Sequence, residues 1–184
     1  MVKSVSQLAT IHRNFLDIET CNRHADRMEE YRHGACRSDM QSPGAFSRYG
    51  LNWDLLEECH EKVEEAFGLE LIPAYEYSRI YIKGNDLFRH KDRASCQHSV
   101  TINLRNEGDP WEFHWEGGSC LMLPGDAVVY HGCEVAHWRE ENKGLEVYQT
   151  FLHYVDANGP YAHKGNEYMR NDARKGVADQ TDML

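Results

Sequence analysis

Residues 78–92 read SRIYIKGNDLFRHKD, and this stretch sets both the kind of fold and the place where chemistry is to be sought. It continues a segment from Leu71, LIPAYEYSRIYIKG, that is rich in aromatic and β-branched residues and closes on a Gly-Asn turn, the pattern of a strand. Beyond the turn stand His90 and Asp92, two positions apart. In extended backbone, residues i and i+2 point to the same side, so these two can grip one ion while Lys91 and Arg93 point away. Two ligands do not make a site, and a third must come from another strand. The candidates are His114, His131 and His137. Two imidazoles and one carboxylate on one face of an ion leave its other positions open, an arrangement that suits non-haem Fe(II). The His-x-Asp pattern alone is weak, because a chain with 11 His and 30 acidic residues supplies it by chance.

On the N-terminal side two helices are expected. NFLDIETCNRHADRMEEY (14–31) has Asp17 to cap it and Glu19 in its first turn. NWDLLEECHEKVEEAFG (52–68) has Asn52 to cap its start and Gly68 to end it, with Leu56, Cys59, Val63 and Phe67 on one face. The segment between, MQSPGAFSRYG (40–50), reads as a loop. On the C-terminal side, CQHSVTINL, SCLMLP, DAVVYHG and EVYQTFLHYV read as further short strands, separated by turn signals at Gly108-Asp109-Pro110, Gly117-Gly118 and Pro124-Gly125-Asp126. Helices first and short strands after predict an α+β fold whose core is a β-sandwich or barrel.

The 184 residues are enough for one domain, expected over 1–184 with a polar, Gly-rich tail from about residue 156. A formal net charge of −10 repels a phosphate backbone and disfavours nucleic acid as a partner. No apolar run approaches the ~20 residues that span a bilayer, and the first residues lack the apolar core of a signal peptide. The six cysteines contain no CxxC pair, so they are expected as reduced thiols of a cytoplasmic protein, most of them small core hydrophobes, and a zinc module is disfavoured.

Taken together, SRIYIKGNDLFRHKD, SVTINL and LPGDAVVYHGCEVAHWRE resemble, in that order, the Fe(II)- and 2-oxoglutarate-dependent dioxygenases, with the prolyl 4-hydroxylase-like branch nearest. The early NFLDIETCNRHADRM resembles the leading helix of that family, and the likeness runs from about Asn14 to Val155. It implies a double-stranded β-helix, the jelly-roll core of cupins, with N-terminal supporting helices. It implies His90, Asp92 and His137 as the iron ligands. It implies 2-oxoglutarate and O2 as cosubstrates, ascorbate as a reductant, and hydroxylation of an unactivated carbon with release of succinate and CO2. The substrate would be a residue of a peptide or protein, prolyl among others, or a small molecule.

The chain departs from the family at one place. A basic residue is expected on the last core strand about ten residues after the distal histidine, to hold the far carboxylate of 2-oxoglutarate, yet LEVYQTFLHYV offers no Lys or Arg. Arg139, two residues beyond His137 and on its face of a continuing strand, is the expected replacement, with Arg105 and Lys143 behind it. Tyr81 matches a family tyrosine whose hydroxyl would reach the cosubstrate, and Arg79 shares its face. In HSVTINL, Ser99, Thr101 and Asn103 alternate with apolar residues, which makes one strand face polar and Asn103 a candidate cosubstrate contact. Trp111, Trp115 and Trp138 are candidates for apolar walls. The missing late cation keeps an alternative in view, a cupin-like metal-binding protein or isomerase without oxygenase activity.

Overall fold

The computed structural model describes residues 8–166. Two long strands form its spine: β3 (Leu71–Ile82) and β10 (Glu146–Asp156) pair antiparallel from Ile82 opposite Glu146 to Leu71 opposite Asp156. Pro73 lacks an N–H, and the ladder accommodates it beside a register shift between His153 and Tyr154. Around this pair stand β1 (Ala9–His12), β2 (Phe46–Tyr49), β5 (His98–Glu107) and β8 (Ala127–Tyr130), giving a six-stranded antiparallel sheet in the order β1-β8-β5-β10-β3-β2. A second sheet holds β4 (Leu87–His90), β9 (His137–Arg139), β6 (Trp111–Trp115) and β7 (Gly118–Met122), in the order β4-β9-β6-β7. Two facing antiparallel sheets with these crossovers are the jelly-roll, double-stranded β-helix arrangement.

The alternation seen in the sequence decides what lies between the sheets. On β5, Val100, Ile102 and Leu104 face outward and pack with Cys21, Ala25 and Met28 of α1 (Ile18–Glu30). Ser99, Thr101 and Asn103 therefore face the interior, and all three are buried. On β10 the outward set is Tyr148, Thr150 and Leu152, and the inward set is Val147, Gln149 and Phe151. The helix α1 begins where expected: the Asp17 carboxylate accepts the Thr20 N–H at 2.8 Å. Burying the apolar stripe of α1 on the sheet closes the main core, at roughly 25 cal/mol per Å² of apolar surface.

Three expectations need correction. The helix over 52–68 is two pieces, α2 (Asp54–Glu58) and α3 (His60–Phe67), divided at Cys59. Asn52 does not cap with its side chain. That amide is buried between His24 Nδ1 (2.9 Å) and Ser78 Oγ (3.1 Å), so tertiary partners claim it; Gly68 does end α3, in the left-handed region at φ 66°. The loop over 40–50 contains β2, which pairs with β3 from Phe46 opposite Ile80 to Tyr49 opposite Tyr77. The strand β1 was not foreseen and pairs with β8 at the sheet edge. Past β10 the chain runs on through a short 3-10 turn, Ala162–Lys164, and Asn166 N–H donates to Pro73 O; the rest of the predicted tail lies outside the described residues. Among the described residues, no helix is long and apolar enough to cross a membrane.

Candidate active site

The register of two short strands assembles the site. β4 pairs with β9 so that His90 stands opposite His137 and Leu87 opposite Arg139, with a register shift between. Asp92, just beyond β4, is tied down where its N–H donates to Gly132 O at 2.9 Å. Its Oδ1 lies 3.5 Å from His90 Nε2 and 3.6 Å from His137 Nε2. Both imidazoles turn the other nitrogen to a backbone carbonyl two residues back, His90 Nδ1 to Phe88 O at 2.6 Å and His137 Nδ1 to Val135 O at 3.2 Å. A ring that donates from Nδ1 keeps its Nε2 lone pair for the common point, which is how a ligating histidine is oriented.

Electrostatics prepare the same three groups. Burial pushes the His137 imidazole down to about 4, so it is neutral at physiological pH. Burial alone would raise the Asp92 carboxyl, but the histidines around it, His137 first, outweigh that and hold it well below the usual carboxylate range. The site thus offers a carboxylate and a neutral His137 imidazole, with the His90 ring beside them, the donor types of a divalent iron centre.

The other two histidines lie elsewhere. His131 packs against Phe67 of α3, 5.1 Å between ring centres, beside Glu134. His114 stacks on Trp138 at 5.5 Å, near Glu112. Arg93, expected to point away from the ligands, lines the cavity over them instead, with its guanidinium 4.7 Å from the Tyr75 ring centre. A cavity of about 220 Å³ opens over the three candidate ligands and is walled by Tyr75, Tyr77, Phe151 and His153, with Arg79, Lys91 and Arg93 among its cations.

Behind the ligands, between the sheets, lies a set of buried polar atoms. Arg139 is 2% exposed. Its guanidinium donates to Trp111 O at 2.8 Å and to Met122 Sδ at 3.0 Å, and it lies 4.7 Å from the Trp111 ring centre and 5.1 Å from that of Phe113. Its Nε has no partner, and among the described residues no carboxylate pairs with it. Burial lowers its pKa to about 10, which leaves it charged at neutral pH. By contrast Arg105 is engaged with Asp26 at 2.6 Å and Lys143 with Glu141 at 2.7 Å, both at the surface. Tyr81 is fully buried, edge-on to Trp111, and its hydroxyl accepts from Arg79 Nη1 at 3.2 Å. Arg79 itself is matched by Asp39, through Nε to Oδ2 at 2.9 Å and Nη2 to Oδ1 at 3.1 Å. Asn103 donates to Met122 O at 3.0 Å while its Oδ1 is left without a partner.

Gln149 was missed by sequence reasoning. It is 0% exposed, and neither atom of its amide has a partner. It stands on β10, the strand where a late cation is sought, and shares inward parity with Phe151. That parity is legible in the sequence, but an amide is not the cation that the family pattern requires on this strand. Tyr130 and Thr101 also line the cavity, bonded to each other at 3.3 Å. Of the three tryptophans, Trp111 packs beside Tyr81 and Val147, Trp115 packs with Phe113 and Met122, and Trp138 lies under Arg89. Buried polar groups without partners are rare in folded proteins, and several aimed into one space mark a place where something else supplies the hydrogen bonds.

No protein-family model and no curated protein sequence matches the chain. Its fold, however, has many solved counterparts. A prolyl-4-hydroxylase of Pseudomonas putida superposes with a TM-score of 0.61 at 15% identity, over 79% of this chain and 91% of that one. SnoK, a non-haem α-ketoglutarate-dependent carbocyclase of nogalamycin biosynthesis, superposes with a TM-score of 0.67 at 11% identity, over 83% and 81%. HygX from Streptomyces hygroscopicus, with nickel and 2-oxoglutarate bound, gives 0.63 at 10% identity, over 83% and 85%. At such identities the likeness establishes the double-stranded β-helix fold, and the function must be argued from the site.

Proposed function

We propose that this chain is an Fe(II)- and 2-oxoglutarate-dependent dioxygenase that hydroxylates an unactivated carbon. The observation that carries the reading is a pairing. Two Nε2 atoms and one carboxylate oxygen converge on a point, and the interior behind that point holds a buried arginine with no anion of its own. His90, Asp92 and His137 would hold the metal. Arg139, aided by Tyr81, Asn103 and Gln149, would take the far carboxylate of 2-oxoglutarate. A carboxylate buried without a cation carries a large desolvation penalty, and Arg139 removes it. Iron, when bound, supplies the centre at which O2 is reduced as the cosubstrate is cleaved to succinate and CO2 and an oxygen atom passes to the substrate. The remaining work belongs to the chain. Arg79 occupies the Tyr81 oxygen as an acceptor, which leaves the phenolic proton to be donated inward. The aromatic wall of the cavity excludes water from the reacting groups.

The cavity of about 220 Å³ suits in size a small molecule or one residue of a peptide as substrate. Both kinds occur among proteins of this fold, since a prolyl hydroxylase from Trichoplax adhaerens is seen with a hypoxia-inducible-factor peptide and SnoK is named as a carbocyclase. The unpaired spacing of the six cysteines supports a reducing, cytoplasmic compartment. The cupin-like alternative drew its support from the absence of a late cation, and the buried Arg139 weakens that ground. The test is succinate formation from 2-oxoglutarate with Fe(II) and ascorbate, in air and under argon. Oxygen-dependent succinate supports the oxygenase. Tight metal binding with no oxygen-dependent turnover, and no perturbation of the metal spectrum by 2-oxoglutarate, would favour the alternative.

A further inference from the structure

Asp92 has a second oxygen, and the structure shows what holds it. Oδ2 accepts a hydrogen bond from Ser99 Oγ at 3.0 Å. Ser99 is fully buried at the start of β5, paired in register with His153 of β10 on one side and Tyr130 of β8 on the other. Its hydroxyl also lies 2.9 Å from His153 Nδ1 and 3.1 Å from Cys96 O. One hydroxyl has one proton. The anionic carboxylate is the strongest acceptor among these three, so the proton goes to Asp92. His153 Nδ1 then donates to Ser99, which makes a chain from His153 through Ser99 to Asp92. The other flank of the carboxylate is closed by Gly132: a Cβ there would fall 2.4 Å from Asp92 Oδ2 and 2.9 Å from Asp92 Cβ. The carboxylate is thus pinned between a donor and a bare backbone, with Oδ1 alone turned to the two imidazoles.

We infer that Ser99 and His153 are positioning residues that keep Asp92 a one-oxygen ligand. This rests on the reading of His90, Asp92 and His137 as a metal centre. A carboxylate free at both oxygens can chelate an ion and fill a further position. One whose second oxygen is engaged by a buried hydroxyl leaves that position open for cosubstrate or oxygen. Hydrogen bonds of this kind behind a ligand commonly govern metal affinity by 10–100-fold. The same contact accounts for two polar residues placed beside an aromatic wall, His153 lying against the Tyr75 ring at 4.5 Å.

The experiment uses Co(II) in the full chain, without 2-oxoglutarate, and reads affinity by chelator competition together with the d–d absorption. Ser99→Ala and His153→Leu are expected to weaken Co(II) binding about tenfold and to alter the d–d intensity as coordination changes. His153→Asn keeps an N–H near the Nδ1 position and is expected to restore both. His137→Ala serves as the control for the centre itself. If it binds Co(II) like the parent, the metal-centre reading fails. If His137→Ala loses the metal while Ser99→Ala and His153→Leu keep the parent affinity and spectrum, the positioning role is overturned. A lowered melting temperature with an unaltered spectrum overturns it equally. Should Ser99→Ala fail to fold, Ser99→Cys, of similar size and a weaker donor, carries the same expectation.

Discussion

At the scale of single residues, three groups of substitutions separate the roles assigned to the site. His90→Ala, Asp92→Ala and His137→Ala should each abolish turnover and weaken Fe(II) binding, whereas His131→Ala, whose ring lies against Phe67, should do neither. Metal binding followed by calorimetry decides between them, and loss in His131→Ala with retention in His137→Ala would reverse the assignment. Arg139→Ala should cost roughly 3–5 kcal/mol of 2-oxoglutarate binding, by analogy with broken buried pairs, or about a hundredfold or more in affinity. Lysine should restore only part, lacking the planar fork. The measurement is an anaerobic titration of 2-oxoglutarate into the Fe(II) protein, with iron affinity unchanged; normal 2-oxoglutarate affinity in Arg139→Ala would eliminate this residue as the anchor. Gln149→Leu gives a different signature. Its amide has no partner in the free protein, so removing it should leave the melting temperature unchanged or raised while weakening 2-oxoglutarate about tenfold. A fall in both would mark Gln149 as structural.

At the scale of elements, the join between helices and sheet carries its own pH dependence. Glu76, on the outward face of β3, is fully buried and accepts from Ser78 Oγ, from Thr150 Oγ1 at 2.7 Å and from Asn52 N–H at 3.0 Å. Burial outweighs these donors and raises its carboxyl to about 7. The folded state therefore holds a proton that the unfolded chain releases near its ordinary 4.5. Between these values the folded state binds more protons, so this group's contribution to stability is present at acid pH and is lost as the pH rises toward 7. Glu76→Gln should flatten that decline, with its largest relative gain above pH 7, in urea unfolding compared at pH 5 and pH 8. An unchanged slope would mean that the donors, and not burial, govern this carboxyl.

At the scale of the whole molecule, the cysteines report how the fold distributes its surface. Cys21 and Cys59 lie in the core between α1, α2 and the sheet, and burial raises their thiols to about 11 and about 12. Cys36 is exposed. A thiol reagent should therefore modify Cys36 first in the native protein, with the core thiols following only as the chain unfolds. In the denatured, unreduced protein most of the six should react; fewer than two would contradict the reducing compartment proposed above.

Much of this arrangement was written locally. The alternation of Ser99, Thr101 and Asn103 with Val100, Ile102 and Leu104 fixes which side of β5 faces helices and which faces the interior, because a strand has period two whatever surrounds it. The spacing of His90 and Asp92 and the placement of Arg139 two residues after His137 follow from the same geometry. The short edge strands β1 and β2 were not legible, since four-residue strands carry too little pattern and owe their pairing to β8 and β3. Nor was the fate of the Asn52 side chain, which looks like a cap in sequence and is taken by His24 and Ser78 in space. From the residues alone the third histidine stays open, and only the register of β4 on β9 sets His137 against His90 and leaves His131 facing Phe67. Gln149 is the clearest case. Its parity can be read from the chain, but its empty amide exists only because two sheets close around it and shut out water. Side-chain direction is a property of backbone period and is local. Burial, partnership and charge balance depend on residues far apart in sequence, and only the folded chain decides them.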